Sequence, residues 1–144
     1  MQIFLCHSSG DKKYVHELYQ RLVSDGYDVW LDEIKLIPGQ DWDLEIQRQV
    51  RQSNVVLVCL SKGSSTKEGY IQREIRIALD EAEKKPENVI YIIPARIEPC
   101  DIPARLAKWQ CVDLYKHNGY SKLKEALNSR INQLREKNLR SQWE

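Results

Sequence analysis

Three features predict an α/β fold with a five-stranded parallel sheet and helices on both of its faces. Short apolar runs alternate with segments of helical periodicity along the chain, the pattern of β-α-β units. One run, "VVLVCL", is apolar on both faces, as a central strand should be. The 144 residues fit one domain with a sizeable core and leave little room for a second.

The first apolar run, "QIFLC", ends at "HSSGD", where Ser8 and Asp11 form a capping-box pattern for the helix that follows. Val15, Leu18 and Leu22 mark one face of that helix, and Gly26 stops it as a left-handed cap before "YDVWL", the second strand. "DEIKLIPGQD" reads as a long loop. Asp41 then caps a helix with Trp42, Ile46 and Val50 on one side, and Ser53-Asn54 breaks it before the third strand, "VVLVCL".

Ser65 and Glu68 form a second capping box ahead of a helix from about residue 69 to 84, with Ile71, Ile75, Ala78, Leu79 and Ala82 at helical spacing. "NVIYIIPARI" is the fourth strand, and its Pro94, which has no N–H to give a ladder, points to a sheet edge. "PCDIPARLAKW" reads as an irregular connection with a short helix, and "QCVDLY" as a weak fifth strand. Tyr120, Leu123, Leu127, Ile131 and Leu134 keep one face of the last helix apolar to about residue 136. The expected domain is therefore 1–136, with 137–144, "KNLRSQWE", as a tail or the start of a linker to a further domain.

Composition narrows the function. With 22 basic and 21 acidic side chains there is no global field of the kind that marks a nucleic-acid binder. No apolar run approaches the roughly 20 residues of a membrane helix, and a cytoplasmic location is expected. Cys6, Cys59, Cys100 and Cys111 form no C-x-x-C pair and read as structural thiols, with no metal site.

Five alternating strands suggest a flavodoxin-like, three-layer sheet of order 2-1-3-4-5, in which ligands bind beyond the strand C-termini where the order reverses. That crevice lies between strands one and three, lined by "HSSGD" and "SKGSSTKEGY", with Glu74 about one helical turn further on. A phosphoacceptor receiver would need an acidic pair after the first strand, where Cys6-His7-Ser8 stands, and an aspartate ending the third, where Leu60-Ser61 stands. Neither G-x-G-x-x-G nor G-x-x-x-x-G-K occurs, which excludes those phosphate-binding modes. Chemistry at a glycosidic carbon remains open, because it needs one well-placed carboxylate.

The blocks "IFLCHSS", "GYDVWLDE", "LIPGQDW", "SNVVLVCLS" and "YIQREI" stand in the order and spacing of a Toll/interleukin-1 receptor (TIR) domain, and the chain resembles bacterial members of that family. The resemblance implies a flavodoxin-like fold and two functional classes: cleavage of NAD at the nicotinamide–ribose bond, or non-enzymatic TIR–TIR association as an adaptor. It gives Glu74 as the catalytic glutamate, with Tyr70 four residues earlier in place of the family's frequent tryptophan. That spacing puts the two positions about 40° apart around a helix. It also gives His7, Ser8, Ser9 and Asp32 as substrate contacts, and NAD as substrate, with no metal or tightly held cofactor. A nucleoside deoxyribosyltransferase-like enzyme is a distant third reading.

The loop residues Leu36, Ile37, Pro38 and Gly39 are unusually apolar for a surface connection. By resemblance they belong to a self-association interface, so that activity depends on assembly with other TIR domains. A fused or associated sensor domain is expected, while nucleic acid and membrane are not expected partners.

Overall fold

The computed structural model describes residues 1–63 and 70–143, without the side chains of Ser9, Glu33, Tyr70, Ile71 and Gln72. Its strands are β1 (Gln2–Cys6), β2 (Asp28–Trp30), β3 (Val55–Leu60), β4 (Ile92–Arg96) and β5 (Val112–Asp113). They pair in parallel in the order β2-β1-β3-β4-β5, as the sequence predicts. The helices are α1 (Lys12–Ser24), α2 (Asp32–Lys35), α3 (Trp42–Gln52), α4 (Tyr70–Glu83) and α5 (Gly119–Trp143), with 3-10 turns at Ser9–Asp11 and Ala104–Leu106.

Alternation along the strands sorts the core into two layers. Ile3 and Leu5 of β1 and Val55, Leu57 and Cys59 of β3 meet Val15, Leu18 and Leu22 of α1 and Leu123 and Leu127 of α5. Phe4, Cys6, Val56, Val58 and Leu60 point the other way, onto Ile46 and Val50 of α3, Ile75 and Ala78 of α4, and Leu106. The right-handed sense of β-α-β crossovers accounts for this division. The step from β1 to β2 runs one way across the sheet and the later steps run the other way, so α1 and α3 fall on opposite faces.

Local signals act where expected at most element ends. Gly26, at φ +91°, closes α1 in a Schellman motif, with Tyr27 N bonded to Leu22 O at 3.1 Å and Gly26 N to Val23 O at 3.0 Å. Leu44 N donates to Asp41 Oδ1 at 3.2 Å, capping α3, and extended Ser53 ends it. At Gly119 an added Cβ would lie 2.1 Å from Asp113 O, so only glycine lets α5 start this close to β5.

Five expectations need correction or limit. Ser8 and Asp11 form no backbone cap, because the Ser8 hydroxyl donates to the Asp11 carboxylate itself at 2.9 Å. The segment after β2 is not all loop, since α2 opens it with one turn of helix. Trp42 leaves the apolar side of α3 and is half exposed. The last helix continues past residue 136 to Trp143, through residues that are exposed and pack on no core. The Ser65–Glu68 capping box lies outside the described residues.

Pro94 is a sixth case. β4 lies between β3 and β5 and is not an edge strand. Tyr91 O accepts from Val56 N at 2.7 Å and Ile97 N donates to Leu60 O at 2.9 Å, so odd-numbered residues aim their backbone groups at β3 and even-numbered ones away from it. The missing N–H of Pro94 therefore faces the β5 side, where pairing begins only at Ala95 opposite Val112. The proline costs the sheet no hydrogen bond.

Candidate functional site

The C-terminal ends of β1, β2 and β3 gather the polar groups. β1 ends at Cys6, and His7 follows at 6% exposure. His7 Nδ1 lies 2.8 Å from Ser8 O, and its Nε2 lies 3.7 Å from Oδ1 of Asp32, the first residue of α2. Asp32 thus opens a helix just past β2.

Glu74 sits in the second turn of α4 and is 3% exposed, so it is not a solvated surface charge. It lies close enough to Cys6 for the two groups to interact electrostatically. Burial pushes the Cys6 thiol well above its ordinary range, and the charge of Glu74 pushes it further. The thiol stays protonated and is not a nucleophile. Asp32 adds a smaller contribution of the same sign, which places it in the electrostatic neighbourhood of this pair.

A second set of bonds ties the surrounding loops together. Ser8 Oγ and Ser61 Oγ both donate to Asp11 Oδ2, at 2.9 Å and 2.8 Å, joining the segment after β1 to the end of β3. Glu98, just beyond β4, accepts from Lys62 N at 2.9 Å. At the far side Arg96 grips Asp113 with a fork, Nε to Oδ1 at 2.7 Å and Nη2 to Oδ2 at 3.0 Å, holding the ends of β4 and β5. These bonds fix the rim on which the buried groups depend.

The structure therefore brings together His7, Asp32 and Glu74, and it adds Cys6. Ser8 is close in the chain but gives its proton to Asp11. The Ser9 and Tyr70 side chains lie outside the described residues, although Tyr70 begins α4 one turn before Glu74. Reading Cys6 as a small buried hydrophobe missed its neighbour. Two signals could have found it: alternation along β1 sends Cys6 to the face opposite Leu5, and the crossover rule puts α4 on that face. Among the described residues no cluster of three or more His, Cys, Asp or Glu side chains could hold a metal ion.

The loop after α2 is partly folded back. Leu36 packs against the α3/α4 layer, while Ile37, 63% exposed, stands on a turn closed by Gln40 N to Ile37 O at 3.2 Å. Pro38 and Gly39, the latter at φ +92°, fill its two central positions, the residue types a type II turn selects. Ile34, Trp42 and Leu44, near this turn in the chain, are also exposed.

The family model described as "TIR domain" matches residues 3–128. An uncharacterized protein of Sinorhizobium fredii, y4cD, is 31% identical over 123 residues, covering 85% of this chain and 19% of that protein. The NAD(+) hydrolase TcpA of a Theionarchaea archaeon is 36% identical over 74 residues, covering 51% of this chain and 22% of that protein. The chain thus spans about a fifth of the length of these curated relatives. The TIR domain of the Toll-related receptor TRR-2 of Hydra magnipapillata superposes with a TM-score of 0.73 at 19% identity, covering 88% of this chain and 97% of that one.

Proposed function

This chain belongs to the TIR domain family, and we propose that it cleaves the nicotinamide–ribose bond of NAD with Glu74 as its catalytic group. The observation that carries the reading is the burial of Glu74 beside a protonated thiol, at the strand ends where the sheet order reverses. The likeness to an archaeal NAD(+) hydrolase supports it.

In this reading the Glu74 carboxylate bonds the ribose hydroxyls of the nicotinamide riboside and stabilises the positive charge that grows at the anomeric carbon as nicotinamide leaves. Shielding from water strengthens that interaction. The protonated Cys6 thiol stands beside this carboxylate. His7, Ser8, Ser9, Asp32 and Tyr70 line the pocket, NAD is substrate, and no further cofactor is required. Attack by water gives ADP-ribose, and attack by the adenine of the same molecule gives a cyclic product.

The domain then acts as the cytoplasmic effector of a bacterial defence or signalling protein, fused to or associated with a sensor and activated by self-assembly. The exposed apolar side chains of Ile34, Ile37, Trp42 and Leu44 favour TIR–TIR contact, and they equally support an adaptor that only recruits another TIR domain. NAD turnover at high protein concentration, followed by chromatography, separates the two. Loss of turnover in Glu74→Gln supports the enzyme, unchanged turnover removes Glu74 from the mechanism, and an inactive native chain, even when assembled, supports the adaptor. Leu36→Ala with Ile37→Ala should lower self-association, seen by light scattering, without unfolding the monomer; unaltered assembly would remove this loop from the interface.

A further inference from the structure

At the opposite, N-terminal end of the sheet, a cavity of about 570 Å³ lies between the α4–β4 connection and the second half of α5. We propose that this cavity binds a phosphate-bearing small molecule, held by Arg130 with Lys85, Lys137 and Arg140. The assignment does not rest on the NAD reading, because none of these residues takes part in the Glu74 site.

The first argument is Arg130. It is 6% exposed, its Nε donates to Asn54 O at 3.0 Å, and it lines the cavity. The described residues offer its two terminal nitrogens neither a carboxylate nor another acceptor. Burial pushes its pKa below the ordinary guanidinium range, since the charged form loses hydration there. A guanidinium keeps its charge even so, and its free edge matches two oxygens of one phosphate.

The second argument is charge. Lys85, Lys137 and Arg140 line the same cavity, and among the described residues none of them forms an ion pair. Glu87 and Glu136 also line the cavity, so four cations stand against two carboxylates, and a bound anion would balance the surplus.

The third argument is rigidity. The Gln133 side chain clamps the α4–β4 connection from both sides, accepting from Ile90 N at 3.0 Å and donating to Asn88 O at 2.8 Å. Asn88 itself is held at φ +67°, a conformation asparagine tolerates. With Arg130 anchored to Asn54, two walls are set before any ligand arrives, which lowers the ordering cost of binding. The volume falls within the range of roughly 300–1,000 Å³ usual for small-molecule sites.

The test is an NMR titration of the whole chain with inorganic pyrophosphate, read at Arg130 Nε–H, the Gln133 side-chain amide and the Asn88 backbone amide. Saturable shifts confined to these groups, with half-saturation at about 1 mM or tighter, are expected. Lys137→Ala with Arg140→Ala, both on the exposed part of α5, should weaken binding at least about tenfold without altering the fold. Absence of shifts at Arg130, shifts spread evenly over the surface lysines, or undiminished binding by the double variant would each overturn the proposal.

Discussion

The two faces of the sheet are built to different rules. Under α1 and α5, the strands present Ile3, Leu5, Val55, Leu57 and Cys59 to aliphatic partners, a dry layer whose work is cohesion. Under α3 and α4, the same strands present Phe4, Cys6 and Val58 to a layer that also admits the carboxylate of Glu74. Each face buries one cysteine completely. Burial pushes Cys59 up to about 12, with a small push from Asp11, whereas Cys6 is raised by burial and then by Glu74. The same residue fills space on one face and partners a charge on the other. One face is apolar throughout, and the other buries an ionisable carboxyl group.

Substitutions can break or sharpen that contrast. The largest effect is expected from Leu57→Ala in the dry layer, a loss of roughly 2–5 kcal/mol in denaturant unfolding, with the Glu74 surroundings intact in any protein that remains folded. Glu74→Gln should cost NAD turnover about 10²–10³-fold while the unfolding midpoint moves little, the reverse pattern. The cysteines give a matched pair. Cys59→Ser puts a hydroxyl into an aliphatic layer and should lose about 1–3 kcal/mol of stability with unchanged turnover. Cys6→Ser keeps a polar group beside Glu74, so it should lose less stability and instead alter turnover. Equal stability losses for the two would erase the distinction between the faces.

The smallest effect belongs to the rim. Hydrogen bonds from Arg96 hold Asp113 below its ordinary value of 3.8, followed by help from Lys116. A folded-state pKa below the unfolded one gives stability that is present above 3.8 and is lost as pH falls through the folded value. Asp113→Asn should therefore flatten the acid limb of stability below pH 3.8, by under about 1 kcal/mol because the pair is partly exposed. An unchanged acid limb would show that the fork contributes no net stability.

Much of the fold was legible because periodicity is written locally. Val15, Leu18 and Leu22 announce the buried side of α1, and the six buried residues of β3 read as an interior strand without reference to anything else. Pro94 misled because its cost depends on which neighbour its nitrogen faces, and that is set by the register of β5, a strand of two residues. The continuation of α5 beyond residue 136 was hidden because a helix needs no apolar face to persist for a few turns once started. Within the candidate site, topology and family likeness single out Glu74, and the structure buries it. Its partner Cys6 was missed because 68 positions separate them and only the chirality of the crossovers brings them together.

The short strands at the margins of the sheet have a last consequence. β2 contributes three residues and β5 two, and the nitrogen beside β5 that could have extended its ladder belongs to a proline. Neither margin offers a foreign strand a long row of open donors and acceptors, so the protein is guarded against edge-to-edge aggregation. Among the described residues, what the molecule exposes for contact with other proteins is therefore mainly side chains of loops and helices, the turn Ile37–Gln40 among them.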